Sequence, residues 1–132
     1  MKKNTVTLAQ VGSTITKETP PMTVDGYSPD NDTALIVHKA VDGPGWNITH
    51  QSGWAILKHL NTRAIALFVA EEMGWLANWS NITQENALEW YKIPQNKEGL
   101  LSLKRAGAWN KLEDVKAALT REKESRKLQV LS

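Results

Sequence analysis

Three histidines, His38, His50 and His59, are the residues in this chain best suited to hold a metal ion or to move a proton. They fall on three successive segments that read as strands, so folding could bring them together. The pairing suggested by the sequence keeps them apart. If Ser52-Gly53 is a two-residue hairpin loop, Gln51 faces Trp54, His50 opposes Ala55, Ile48 opposes Leu57 and Trp46 opposes His59. His50 and His59 then share a side but stand near opposite ends of the hairpin. At about 7 Å per two-residue step, one ion cannot bridge them. The chain has no cysteine, which removes thiolate ligands, disulfides and a cysteine nucleophile. No metal and no cofactor is expected.

Other catalytic patterns are missing as well. There is no glycine-rich phosphate loop, no H-E-x-x-H and no G-x-S-x-G. Glu71 and Glu72 are neighbours on a helical segment and diverge by about 100°, so they cannot share a proton. Nothing selects Asp25 or Asp42 for acid–base work. The expectation is a binding module, with no catalytic residues.

The same hairpin pairing sorts its side chains onto two faces. One carries Trp46, Ile48, His50, Ala55, Leu57 and His59, and the other carries Asn47, Thr49, Gln51, Trp54, Ile56 and Lys58. A bare meander is only marginally stable, so the following helix must cover one face. The first set is the more apolar at its centre and is assigned to the core. Trp46, Ile48, Leu57, Ile65, Phe68 and Val69 are then expected to be buried together. The second set is left outward, and it suits nucleic acid. Amides and hydroxyls reach base edges, Lys58 neutralises phosphate, and Trp54 can stack on an unpaired base. The expected nucleic-acid-binding residues are Asn47, Thr49, Gln51, Trp54 and Lys58, with Lys104 and Arg105 adding phosphate contacts. In outline, residues 33–76 resemble small DNA-binding domains that present a three-stranded sheet backed by one helix. The partner is expected to be DNA or RNA. The alternative is a protein partner or a homodimer, with Trp79, Trp90 and Tyr91 as exposed anchors.

The elements that must position these residues follow from local pattern. "TALIVHKAV" is apolar on both faces, as a central strand is. Asp42-Gly43-Pro44-Gly45 turns the chain, and "WNITHQ" and "WAILKHL" supply two further strands. Asn61 or Thr62 caps a helix, "TRAIALFVAEEMGWL", whose buried stripe is expected at Ile65, Phe68, Val69 and Leu76 and which Gly74 weakens or ends. "TQENALEWYK" reads as a short helix stopped before Pro94. "KEGLLSLKRAGAW" is ambiguous, with Leu100, Leu101 and Leu103 partly buried. "KLEDVKAALTREKESRKL" is a helix with Leu112, Val115 and Leu119 on one side. The fold class is therefore α+β: a three- or four-stranded antiparallel meander on a helix, with further C-terminal helices. Residues 1–32 form an extended arm able to make a strand or a hairpin around Gly12, with "TPPMTVDGYSPDND" as loop. Residues 33–120 form the domain, and 121–132 form a polar helical tail.

Net charge is +2, unevenly spread: residues 97–132 hold nine Lys/Arg against five Asp/Glu, whereas residues 1–96 hold seven against nine. A basic C-terminal third points to nucleic acid or to a solvated helix. Asn31, Asn47, Asn78 and Asn81 each open an N-x-[ST] triplet. The N-terminus has no sustained apolar stretch, so these triplets read as turn and strand residues in a small soluble, cytoplasmic protein with no membrane span.

Overall fold

The computed structural model describes residues 2–8, 22–30, 34–41 and 43–131, with side chains described as far as residue 125. It is an α+β protein with a five-stranded antiparallel sheet. The strands are β1 (Lys2–Leu8), β2 (Met22–Ser28), β3 (Leu35–Lys39), β4 (Trp46–His50) and β5 (Ala55–Leu60). Each is bonded to its neighbours in sequence, in the order β1-β2-β3-β4-β5. The helices are α1 (Arg63–Leu76), α2 (Ala87–Lys92), α3 (Pro94–Gly107) and α4 (Leu112–Leu131), with a short 3-10 turn at Trp79–Asn81.

β1 falls in the N-terminal arm, where a strand or hairpin was expected, and β2 falls in the segment expected as loop and raises the strand count to five. β1 and β2 pair along their whole length, from Lys2 opposite Ser28 to Leu8 opposite Met22. Gly12, the expected hairpin centre, lies outside the described residues. The segment expected as loop contains β2, because Met22, Val24, Thr23 and Tyr27 favour an extended backbone and alternate as a strand requires. Gly26 belongs to this strand for a packing reason. A Cβ there would lie 2.6 Å from the Val37 carbonyl oxygen and 2.7 Å from Ile36 Cγ2.

The β4–β5 connection is a three-residue loop, Gln51–Gly53, in place of the two-residue loop expected. The Gly53 N–H donates to the His50 carbonyl at 2.8 Å, and the His50 N–H donates to the Trp54 carbonyl at 2.9 Å. Gly53 sits at φ 105°, a conformation open to glycine at little steric cost. The register shifts accordingly. Ile48 opposes Leu57 as expected, but Thr49 opposes Ala55 and Trp46 opposes Leu60. β5 thus carries an extra residue on either side of Leu57. The second of these includes His59 at φ 62°; it turns His59 outward and brings Leu60 into the core in its place.

α1 begins at Thr62, whose side-chain oxygen accepts the Ile65 N–H at 3.1 Å. It continues through Gly74 to Leu76. Its buried residues are Ile65, Ala66, Val69, Ala70 and Met73, two adjacent rows at four-residue spacing. They form one core with Leu35, Val37, Ile48, Leu57 and Leu60 of the sheet, which defines the near face of the sheet as the side under α1. Leu103 and Ala106 of α3 and Val115, Ala118 and Leu119 of α4 complete that core. Of the expected central set, Ile48, Leu57, Ile65 and Val69 are buried together. Trp46, Phe68 and Leu76 are half-buried and pack against the margin of that core. The Phe68 ring lies instead beneath the Lys116 ammonium, 5.5 Å from its centroid. α3 takes up the segment left ambiguous by its sequence, with Pro94 in its first turn. Asn61 ties the α3–α4 connection to the start of α1, its amide donating to the carbonyls of Ala108 and Trp109 at 3.2 and 3.1 Å.

Two outcomes test this packing. Ile65→Ala should lower stability by about 2–5 kcal/mol in urea unfolding, and Phe68→Ala should cost clearly less despite its larger side chain. Gly26→Ala should destabilise by about 1–3 kcal/mol, since the nearest obstacle is backbone and cannot rotate away. Wild-type stability in Gly26→Ala would show that β2 does not pass so close to β3.

Candidate nucleic-acid interface

The hairpin face expected to be outward is largely enclosed. Asn47 and Thr49 are 3% and 0% exposed. Both belong to the far face of the sheet, where Val6, Ile36 and His38 are buried too. Their polar atoms are used inside the protein. Thr49 Oγ1 and His38 Nε2 are hydrogen-bonded at 2.7 Å, and Asn47 Oδ1 accepts the His59 N–H at 3.0 Å. Trp54, expected to be exposed, is half-buried and stacked on His50 with centroids 5.3 Å apart and planes inclined by 21°. Gln51 and Lys58 are exposed, as are Lys104 and Arg105. Arg105 does not offer a free charge, because it bridges Glu122 and Glu98 at 2.9 and 2.8 Å. The hydrogen bonds it donates to Glu122 and then to Glu98 keep its guanidinium charged well above the ordinary arginine range.

The histidines are separated and individually employed. His50 Nε2 donates to the Trp79 carbonyl at 2.6 Å, and its Nδ1 accepts the Ser52 N–H at 3.1 Å. His38 Nδ1 lies 2.9 Å from the Lys39 carbonyl and His59 Nδ1 lies 2.8 Å from that of Pro44, which makes each of these nitrogens a donor. Among the described residues, no three His, Asp or Glu side chains are grouped to hold a metal ion. Trp79, expected to be an exposed anchor, is 2% exposed; its indole N–H donates to the Met73 carbonyl at 2.7 Å and its ring tilts against Trp90. The large aromatics at the surface are Trp75 and Trp109, 83% and 48% exposed.

An open site exists elsewhere, on the near face where α1 does not reach. α1 lies against β3, β4 and β5, and the β1–β2 end of the same face remains uncovered as a cleft of about 510 Å³. Strand register arranges its side chains in two rows. Lys3 opposes Tyr27, which opposes Val37; one step along, Thr5 opposes Asp25, and Lys39 opposes Trp46. The rows are about 7 Å apart, the two-residue repeat of a strand. Val37 is fully buried, so the cleft is walled there by the core and opens over Lys3, Thr5, Asp25, Tyr27, Lys39 and Trp46. Arg63, the first residue of α1, places its guanidinium 4.8 Å from the Tyr27 centroid and adds a third positive charge at the rim. Among the described residues, the side chains of Lys3, Lys39 and Asp25 form no ion pair.

The sequence pattern did not reveal these residues, because β2 was expected as loop and Trp46 was assigned to the core. The signal was the alternation Thr23, Asp25, Tyr27, which marks one strand face. Compared with protein-family models, curated proteins and solved structures, the chain has no match at significance. Its chemistry therefore has to be argued from its own geometry.

The enclosure of Asn47 carries a test. Asn47→Ala leaves the His59 N–H without its acceptor and should cost about 1–3 kcal/mol in thermal or urea unfolding. A neutral result would mean that Asn47 faces solvent, as the hairpin pattern alone implied.

Proposed function

We propose that this protein is a non-catalytic binding module for nucleic acid, and that it takes single strands in the near-face cleft. The supporting observation is the combination of a half-buried tryptophan and lysines without an ion pair among the described residues on one uncovered patch of sheet. Trp46 offers a ring on which an unpaired base can stack, and every base has a face for such stacking. Lys3, Lys39 and Arg63 neutralise phosphates along the strand, with release of counterions. A strand binds here and a duplex does not, because a base inside a duplex has no free face to give Trp46.

A second reading is carried by a different observation. Trp75 and Leu88 are 83% and 61% exposed, and large apolar side chains of this kind anchor protein partners or a second copy. Light scattering across a concentration series distinguishes the two. A mass that rises with concentration, together with no oligonucleotide binding, would favour the protein partner.

The direct experiment is fluorescence anisotropy with single-stranded oligonucleotides at low and moderate salt. Trp46→Ala should weaken binding by roughly 1–3 kcal/mol, the usual worth of one stacked base. Lys39→Ala should weaken binding to all sequences and flatten the salt dependence by about one unit. Both variants should keep the wild-type circular dichroism spectrum. Absence of binding at low salt, where phosphate attraction is strongest, would sink the proposal.

A further inference from the structure

Asp25 brings a carboxylate to the cleft, and it opposes the charge that a nucleic acid brings. Asp25 stands between Thr5 and, one step beyond the Gly26–His38 pair, Lys39. It lines the open volume, and among the described residues it forms neither an ion pair nor a hydrogen bond through its side chain. A carboxylate placed beside phosphate-binding lysines lowers affinity for the backbone, so a use for it has to lie in the bases. An ionised carboxylate only accepts hydrogen bonds, and it accepts two side by side. Among the standard bases, guanine alone sets two N–H donors next to each other on its pairing edge, at N1 and at the 2-amino group. Adenine and cytosine offer one amino group beside an acceptor, and thymine and uracil offer one N–H between two carbonyls.

Resting on the reading of the cleft as a single-strand site, we infer that Asp25 selects guanine by accepting both donors of its pairing edge. The geometry allows one base to satisfy both contacts. Asp25 lies two strands from Trp46 in the same row, about 10 Å at the usual strand spacing. A purine stacked over the indole spans most of that distance and turns its pairing edge toward β2. A guanine so held must be unpaired, since the edge that meets Asp25 is the one a duplex uses for cytosine.

The test uses the full chain and thymine oligonucleotides that carry one central guanine, inosine, adenine or cytosine. Inosine lacks only the 2-amino group and isolates the second hydrogen bond. The guanine oligonucleotide should bind about tenfold more tightly than the inosine and adenine ones, within the range that a good bidentate contact gives. Asp25→Ala should remove the preference, and all-thymine binding should hold or tighten because a negative charge has gone. Equal affinity for guanine and inosine, in a protein that does bind these strands, would overturn the inference and leave the cleft reading standing. Failure of every oligonucleotide to bind at low salt would overturn the cleft reading, and the inference with it.

Discussion

Strand β4 is buried on both faces, and its polar side chains therefore have to find partners within the protein. Ile48 enters the core under α1, while Asn47 and Thr49 point to the far side at 3% and 0% exposure. A buried amide or hydroxyl left unpaired is costly, so these contacts restrict where the neighbouring strands can lie. Thr49 is satisfied by His38 of β3, and Asn47 by the backbone of His59 on β5. The second contact falls where β5 departs from regular pairing. His59 at positive φ turns its N–H toward Asn47 and lets Leu60 take the core position. His50, at the end of the same strand, reaches the Trp79 carbonyl and so connects the sheet to the segment after α1. One enclosed strand thus links register, bulge and the attachment of the 3-10 turn.

The second determinant is how much of the sheet α1 covers. α1 lies against β3, β4 and β5, and its Ile65, Ala66, Val69, Ala70 and Met73 are buried in the common core. α3 and α4 pack on the helix and keep the core closed from the other side. Residues of β1 and β2 on the same face gain no such cover. They bear lysine, aspartate, threonine and tyrosine, which water solvates well. The cleft is what remains on this face because α1 lies against β3, β4 and β5. Its position beside the N-terminus of α1 supplies Arg63, already stacked on Tyr27.

Charge is distributed in keeping with this division. The basic C-terminal third is partly neutralised by its own carboxylates, Arg105 with Glu98 and Glu122, and Lys123 with Glu72 of α1. These exposed pairs contribute modestly to stability, but they remove cations from the pool that could meet phosphate. Total basic content is therefore a poor guide to where an anion would bind. The lysines of the cleft matter more because no such pairing engages them among the described residues.

By itself the sequence determined the elements whose signals are local. The strand within 33–41 with two apolar faces, a cap at Asn61 or Thr62, the helix after it and the final helix with its apolar side all follow from periodicity and capping over a few residues. So does the α+β class. Tertiary structure decided what depends on partners distant in the chain. β2 was hidden because Pro, Asp and Gly around it have loop character, and only pairing with β1 and close packing of Gly26 on β3 make it a strand. The burial of Trp79, the half-exposure of Trp46 and the enclosure of Asn47 and Thr49 were equally hidden. Alternation along one strand says which residues share a face, and it does not say whether anything lies against that face. For β4 something lies against both, and for β1 and β2 the near face stays open, because the reach of α1 is set by the packing of the whole core.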